Sequence, residues 1–242
     1  LIGGILAACM TLVALTSAGS AVIAADDGFE SVAAGHYFGA ELLPSGVDAD
    51  TLHRRLSDAV ISCSPTAELA DLGITDDSAS AIAEMIAYSI PEAFHIERIS
   101  YETDRQDNIT RMHFKYSMTA EAYKAKLDEC EAAADRMTAD LVDSALSDAE
   151  KTLLVHDRIA AACEYDYSGY TDYIQGGKDM PADDFSIYGV LVSGKAVCEG
   201  YALTNIYLLS RLGIQAMFCR SSQINHGWNI VWLDNIPYHV DI

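Results

Sequence analysis

At 242 residues, half of them hydrophobic, the chain has enough apolar material for one good-sized domain or for a domain with a helical preamble. Fifteen lysines and arginines stand against 36 aspartates and glutamates, a formal net charge of −21. Such a surface repels phosphate backbones and anionic headgroups, which disfavours nucleic-acid binding and adhesion to anionic membranes.

Residues 1–25 carry no charge, and Val22-Ile23-Ala24 fits the small-residue cleavage pattern of a secretory signal, with the mature chain starting at Ala25 or Asp26. The alternative is an uncleaved anchor, since the stretch is just long enough to span a bilayer; that would be the chain's only membrane contact. Leu6-Ala-Ala-Cys9 has the form of a lipoprotein box, but the apolar tract runs well past it. A secreted or cell-surface protein is therefore expected. Three segments follow: 1–25 for export, 26–145 as an N-terminal α+β region, and 146–242 as a core.

In the second segment, Leu52, Leu56 and Val60 recur four apart and predict a helix over 50–63. Ile82, Met85, Ile86 and Ile90 predict another over 77–90, stopped by Pro91. Residues 94–103 and 109–118 alternate as two strands joined around 105–108. A long helix over 120–145 follows, capped by Thr119, and Ser147-Asp-Ala-Glu150 is a capping box that opens the next one. His53, His95 and His113 are isolated and read as ordinary core or surface histidines. His156 reads as structural. Residues 169–184, rich in Tyr, Gly and Asp, are expected to be a loop bordering a cleft.

Cys198 marks the point where a loop turns into a helix. Ala202, Ile206, Leu209 and Leu212 recur at helical spacing, and Gly213 sits at a natural C′ position, so a helix over 198–212 is predicted. A sulfur at a helix N-terminus faces unpaired N–H groups and the positive end of the macrodipole, which favour the thiolate. A buried structural cysteine is the bland alternative.

His226 opens a strand, 226–233, and Asp241 lies on the next, 236–242. Asp234-Asn235 between them is a natural two-residue hairpin turn. That turn pairs Leu233 with Ile236, Val231 with Tyr238 and Trp228 with Asp241, so His226 and Asp241 share a face on a short diagonal. A three-residue loop would flip the parity. His239 shares the parity of Asp241 and belongs near the same place. A nucleophilic sulfur, an imidazole and an orienting carboxylate are the three parts of an acyl-transfer site.

Beyond residue 25 there are five cysteines: Cys63, Cys130, Cys163, Cys198 and Cys219. With Cys198 as the working thiol, the other four either form two bridges (Cys63–Cys130 and Cys163–Cys219) or remain buried free thiols. No spacing suggests a zinc site, and no metal or cofactor is expected.

Several blocks around these residues resemble the transglutaminase-like superfamily. They are Tyr188-Gly-Val-Leu191, Gly194-Lys-Ala-Val-Cys-Glu-Gly-Tyr-Ala202, Leu208-Leu-Ser-Arg-Leu-Gly-Ile214, His226-Gly-Trp-Asn229 and Tyr238-His-Val-Asp241, with Gly227 where alanine is usual. Upstream, Glu150–Asp157 and Cys163-Glu-Tyr-Asp166 look like the helix preceding the core in bacterial secreted members. The resemblance covers about residues 147–242. It implies an α+β fold with a papain-like core, a Cys-bearing helix packed on an antiparallel sheet that bears His and Asp. It implies Cys198 as nucleophile, His226 as general base and acid, and Asp241 as the orienting group. A thioester would form from an amide or peptide carbonyl and pass to an amine or to water. Protein or peptide substrates, cell-wall peptides among them, are the implied partners; oligomeric state is left open. Two departures stand out. The chain ends one residue after Asp241, where the family usually continues, so a C-terminally truncated core is expected. The side chain that assists the oxyanion is also unassigned, with Tyr188 and Asn229 as candidates. A different class of reading is a non-catalytic extracellular or cell-wall binding module that retains the fold.

Overall fold

The structure, a computed structural model, describes residues 10–11, 37–176 and 179–242. The expected export segment lies outside the described residues except for Met10–Thr11, and no described helix is long and apolar enough to cross a membrane. The chain divides into two compact units between Tyr123 and Lys124.

The first unit contains β1 (Met10–Thr11), α1 (Ala49–Ile61), β2 (Thr66–Glu68), α2 (Ala79–Ser89), β3 (Ile96–Thr103) and β4 (Ile109–Tyr116). Its strands form an antiparallel sheet in the order β1-β3-β4-β2. Both expected helices and both long strands are present. Asp48 caps α1 by accepting from the amides of Asp50 and Thr51. The four-residue spacing of Leu52, Leu56 and Val60 puts all three in the core, against Ile82, Met85 and Ile86 of α2 and Ile99, Met112 and Phe114 of the sheet. His95 is fully buried, stacked on Tyr116 at 4.6 Å and Tyr123 at 3.6 Å, with the Cys63 sulfur 3.6 Å from Nε2. Burial drives its pKa down to about 4, so it packs as a neutral ring.

The second unit holds most of α3 (Ala120–Val142), then α4 (Asp148–Ala162), β5 (Glu164–Tyr165), α5 (Tyr167–Ile174), β6 (Lys195–Ala196), α6 (Cys198–Arg211), β7 (Ala216–Ser221), β8 (His226–Leu233) and β9 (Ile236–Val240). Thr119 caps α3 by accepting from the Ala122 amide at 3.2 Å. The helix stops at Val142, short of the expected 145, and most of it joins the second unit rather than closing the first. Strands β7, β8 and β9 form an antiparallel sheet with β8 central, and α6 packs on β7 and β8. Leu203, Tyr207, Met217, Phe218, Ile230 and Val231 are all buried. Mixed helix and antiparallel sheet make this an α+β molecule, with one short parallel pair, β5 and β6.

Two elements depart from expectation. Residues 169–174, part of the expected 169–184 loop, belong to α5, because the Asp166 side chain accepts from the Gly169 amide at 2.9 Å and the Ser168 hydroxyl at 3.0 Å and caps the first turn. Strand β7 was not anticipated. Of the two alternatives for the cysteines, the structure has the free thiols: all five described cysteines are unbridged. Burial raises the pKa values of Cys130 and Cys163, and Cys163 Sγ donates to the Glu164 carbonyl.

The capping box at Ser147 is present in both directions, Glu150 N–H to Ser147 Oγ and Ser147 N–H to Glu150 Oε2 at 2.8 Å. Ser147→Ala is expected to cost about 1 kcal/mol of stability, read from the urea midpoint at constant m-value.

Candidate active site

Helix α6 is anchored at both ends, which places its first residue, Cys198. Val197 is extended, and its amide donates to the Asp184 carbonyl at 2.9 Å. In the first turn Gly200 lies so close to the 184–186 turn that a Cβ would sit 2.8 Å from the Asp184 oxygen. At the far end Gly213 adopts φ +71°, Ile214 N–H bonds Leu209 O at 3.0 Å and Gly213 N–H bonds Ser210 O at 3.1 Å, a Schellman closure.

The β8–β9 hairpin has the register that its turn predicts. Asp234 and Asn235 both take positive φ, 52° and 62°, as a type I′ turn requires. Leu233 pairs with Ile236, Val231 with Tyr238 and Asn229 with Val240, so Asp241 comes next on the face of Trp228 and His226. His226 Nε2 lies 2.9 Å from both Asp241 carboxylate oxygens. With a carboxylate as acceptor, Nε2 carries the proton and Nδ1 is the ring's basic nitrogen.

Three further side chains hold this pair. Trp228 stacks on His226, centroids 5.7 Å apart at 21°, and its Nε1–H donates to His239 Nδ1 at 2.8 Å. His156 of α4, expected to be merely structural, donates from Nε2 to the Asp241 carbonyl at 3.2 Å, tying the end of β9 to α4. No sequence signal joins His156 to Asp241, which lie 85 residues apart. Both side chains considered for the oxyanion are committed elsewhere. Asn229, 1% exposed, donates to Ala202 O at 3.0 Å and accepts from Asn205 Nδ2 at 2.9 Å, and Tyr188 donates to Glu129 Oε2 at 2.9 Å.

The Cys198 thiol is influenced by the amide of Gly227, the residue that follows His226, and by the Tyr165 hydroxyl, both of which pull its pKa down. A Cβ on residue 227 would fall 2.6 Å from the Phe218 ring, which accounts for glycine in place of alanine. Solvent exclusion works against the expected thiolate stabilisation. Burial pushes the Cys198 thiol up; the Gly227 amide and Tyr165 hydroxyl pull it back, and the Glu199 carboxylate pushes it up again. Glu199 keeps some solvent exposure as a residue, yet burial raises its carboxyl to about 7 against the pull of the Arg220 guanidinium. Among the described residues no group of three or more His, Cys, Asp or Glu side chains is arranged to hold a metal ion.

No protein-family model matches the chain, and no curated protein does. Two solved structures align with it at low identity. One, described as a TGase, is 15% identical over 60% of this chain and 44% of its own, with a TM-score of 0.43. The other, described as a "putative protease" from Parabacteroides distasonis, is 14% identical over 59% of this chain and 35% of its own, with a TM-score of 0.32. The matched region spans less than half the length of either.

Two pH dependences follow. Alkylation of Cys198 by iodoacetamide is expected to be slow at pH 6 and to reach half its maximal rate above pH ~8.5, the ordinary thiol value; a rate plateau already reached at pH 6 would refute the buried-thiol description. For Glu199, the folded value of about 7 lies above the ~4.3 of an unfolded glutamate, so the folded state holds an extra proton between those values. Its contribution is fully present below pH ~4 and lost as pH rises through 7. Glu199→Gln should therefore gain stability relative to wild type at pH 8 compared with pH 4, measured by urea unfolding at both.

Proposed function

We propose that the chain is an exported, transglutaminase-like thiol enzyme that attacks amide or peptide carbonyls of protein or peptide substrates, cell-wall peptides among them. Cys198 is the nucleophile, His226 the proton carrier and Asp241 the group that orients and stabilises the imidazolium. The uncharged first 25 residues support export. The observation that supports the catalytic reading is the His226 imidazole held at 2.9 Å by both Asp241 oxygens, with the amide of the adjacent Gly227 pulling the Cys198 thiol pKa down.

The chemistry follows from that arrangement. His226 Nδ1 removes the thiol proton as sulfur attacks the carbonyl carbon, so a resting thiolate is not required. The imidazolium then protonates the leaving nitrogen, which leaves a thioester on Cys198. An amine gives transfer and water gives hydrolysis, by the same steps in reverse. Which acceptor prevails depends on water exclusion at the cleft.

A second reading, a non-catalytic extracellular module that keeps the fold, draws on one observation: burial holds Cys198 as a thiol. The two are separated by incubating the full chain with a labelled glutamine peptide and a labelled primary amine. Transfer or release of the acyl group is expected, abolished by Cys198→Ala in a variant that unfolds like wild type. Asp241→Asn should slow turnover about 100-fold or more, as loss of the orienting acceptor impairs general base catalysis. A wild-type chain no more active than Cys198→Ala would favour the module.

A further inference from the structure

Helix α5 buries none of its residues, and Tyr167 and Ile174 are open to solvent. With no apolar face to hold it down, such a helix is placed by a few discrete contacts and opens at low cost. At its base Asp166 caps the first turn, and near its end Tyr173 meets Phe185 edge to face, centroids 6.0 Å apart. Between these points Tyr170 reaches the turn at 222–225. Its hydroxyl donates to the Asn225 carbonyl at 3.4 Å and accepts from the Asn225 side-chain amide. The two partners come from opposite sides of the candidate site. Helix α5 continues from β5, whose Tyr165 pairs with Ala196 of β6, and only Val197 separates Ala196 from Cys198. Asn225 immediately precedes His226. The clasp therefore joins the segment leading to the sulfur with the segment leading to the imidazole, and a chain laid between those segments has to pass it.

We propose that the Tyr170–Asn225 clasp gates the cleft and makes Tyr170 a specificity-determining residue: closed, it admits small acyl donors to Cys198, and it has to part before a polypeptide enters. The proposal rests on the acyl-transfer reading above for what enters, while access to the sulfur is measurable without turnover. Both hydrogen bonds lie at the surface, where water competes for each group, so together they favour the closed arrangement by about tenfold. A polypeptide donor meets that factor as a weaker apparent affinity, because only the open fraction binds it. Turnover after entry is unaffected, so the clasp acts on KM for large donors and not on kcat. Asn225 holds φ +49°, which aims its carbonyl and its side chain from a backbone conformation that glycine also adopts.

The test is Tyr170→Phe in the full chain, which keeps the ring and removes both hydrogen bonds. Cys198 is labelled in parallel with iodoacetamide and with a short peptide iodoacetylated at a central lysine, each rate being read at that residue by peptide mass. In Tyr170→Phe the peptide probe is expected to react about tenfold faster, while iodoacetamide changes by less than about twofold. Asn225→Gly, which keeps the left-handed backbone and removes the side-chain amide, is expected to give a smaller rise of the same kind. The double variant should rise no further than Tyr170→Phe alone, since the two changes break one contact. Tyr167→Phe, which alters an exposed phenol of the same helix, should match wild type with both probes. An unchanged ratio of the two rates in Tyr170→Phe overturns the gate, as does a shift shared by both probes, which makes Tyr170 a support for the site and not a barrier to it. A Cys198 that neither probe labels in either chain overturns it as well. If the ratio shifts as expected but no acyl group is transferred or released from any donor, the gate stands and the acyl-transfer reading falls. An unaltered urea midpoint shows that each variant is folded, and Asn225→Gly decides the matter should Tyr170→Phe unfold.

Discussion

The β8–β9 register is the constraint on which the candidate site depends, because side chains change face at every residue along a strand. Two left-handed residues, Asp234 and Asn235, close the hairpin with no residue to spare. The count along β9 then brings Asp241 to the face that His226 occupies, and the carboxylate meets Nε2 through both oxygens. One additional loop residue would present Asp241 to the opposite side. Trp228, stacked on His226 and hydrogen-bonded to His239, converts that register into a fixed ring orientation.

Helix α6 must then be held at the right height over the sheet, and buried amide chemistry does this. Asn205 of the helix donates to Asn229 of β8, and Asn229 donates in turn to the helix carbonyl of Ala202. These groups are in the interior, where an unmade hydrogen bond costs about 1–3 kcal/mol, so sliding α6 along β8 is penalised even though the apolar contacts would tolerate it. The close approach of Gly227 to Phe218 adds a steric limit on the same junction. Cys198 and His226 belong to the two elements joined in this way.

Enclosure of the sulfur has opposing effects. Removing it from water favours the neutral thiol, and the neighbouring Glu199 carboxylate adds to that. The Gly227 amide and the Tyr165 hydroxyl pull the thiol back down, and the same low-dielectric surroundings raise Glu199 until it is partly protonated near neutrality. A protonated Glu199 no longer opposes a negative charge on Cys198.

The local features of this protein were legible in the residues themselves. The helix periodicities around Leu52 and Ile82, the Ser147–Glu150 box, the Gly213 closure of α6 and the Asp234-Asn235 hairpin each depend on spacing within a few residues, so sequence alone determines them. Through the hairpin, the shared face of His226 and Asp241 was legible too. Helix α5 was hidden because its two turns rest on a single Asp166 cap amid tyrosines and glycine. Three other features were decided only by tertiary structure: the influence of Tyr165 on the Cys198 thiol, His156 on the Asp241 carbonyl, and the upward pull of burial on that thiol. Each is set by groups brought together from distant parts of the chain and by the solvent they exclude, and neither distance nor dielectric is written in local spacing.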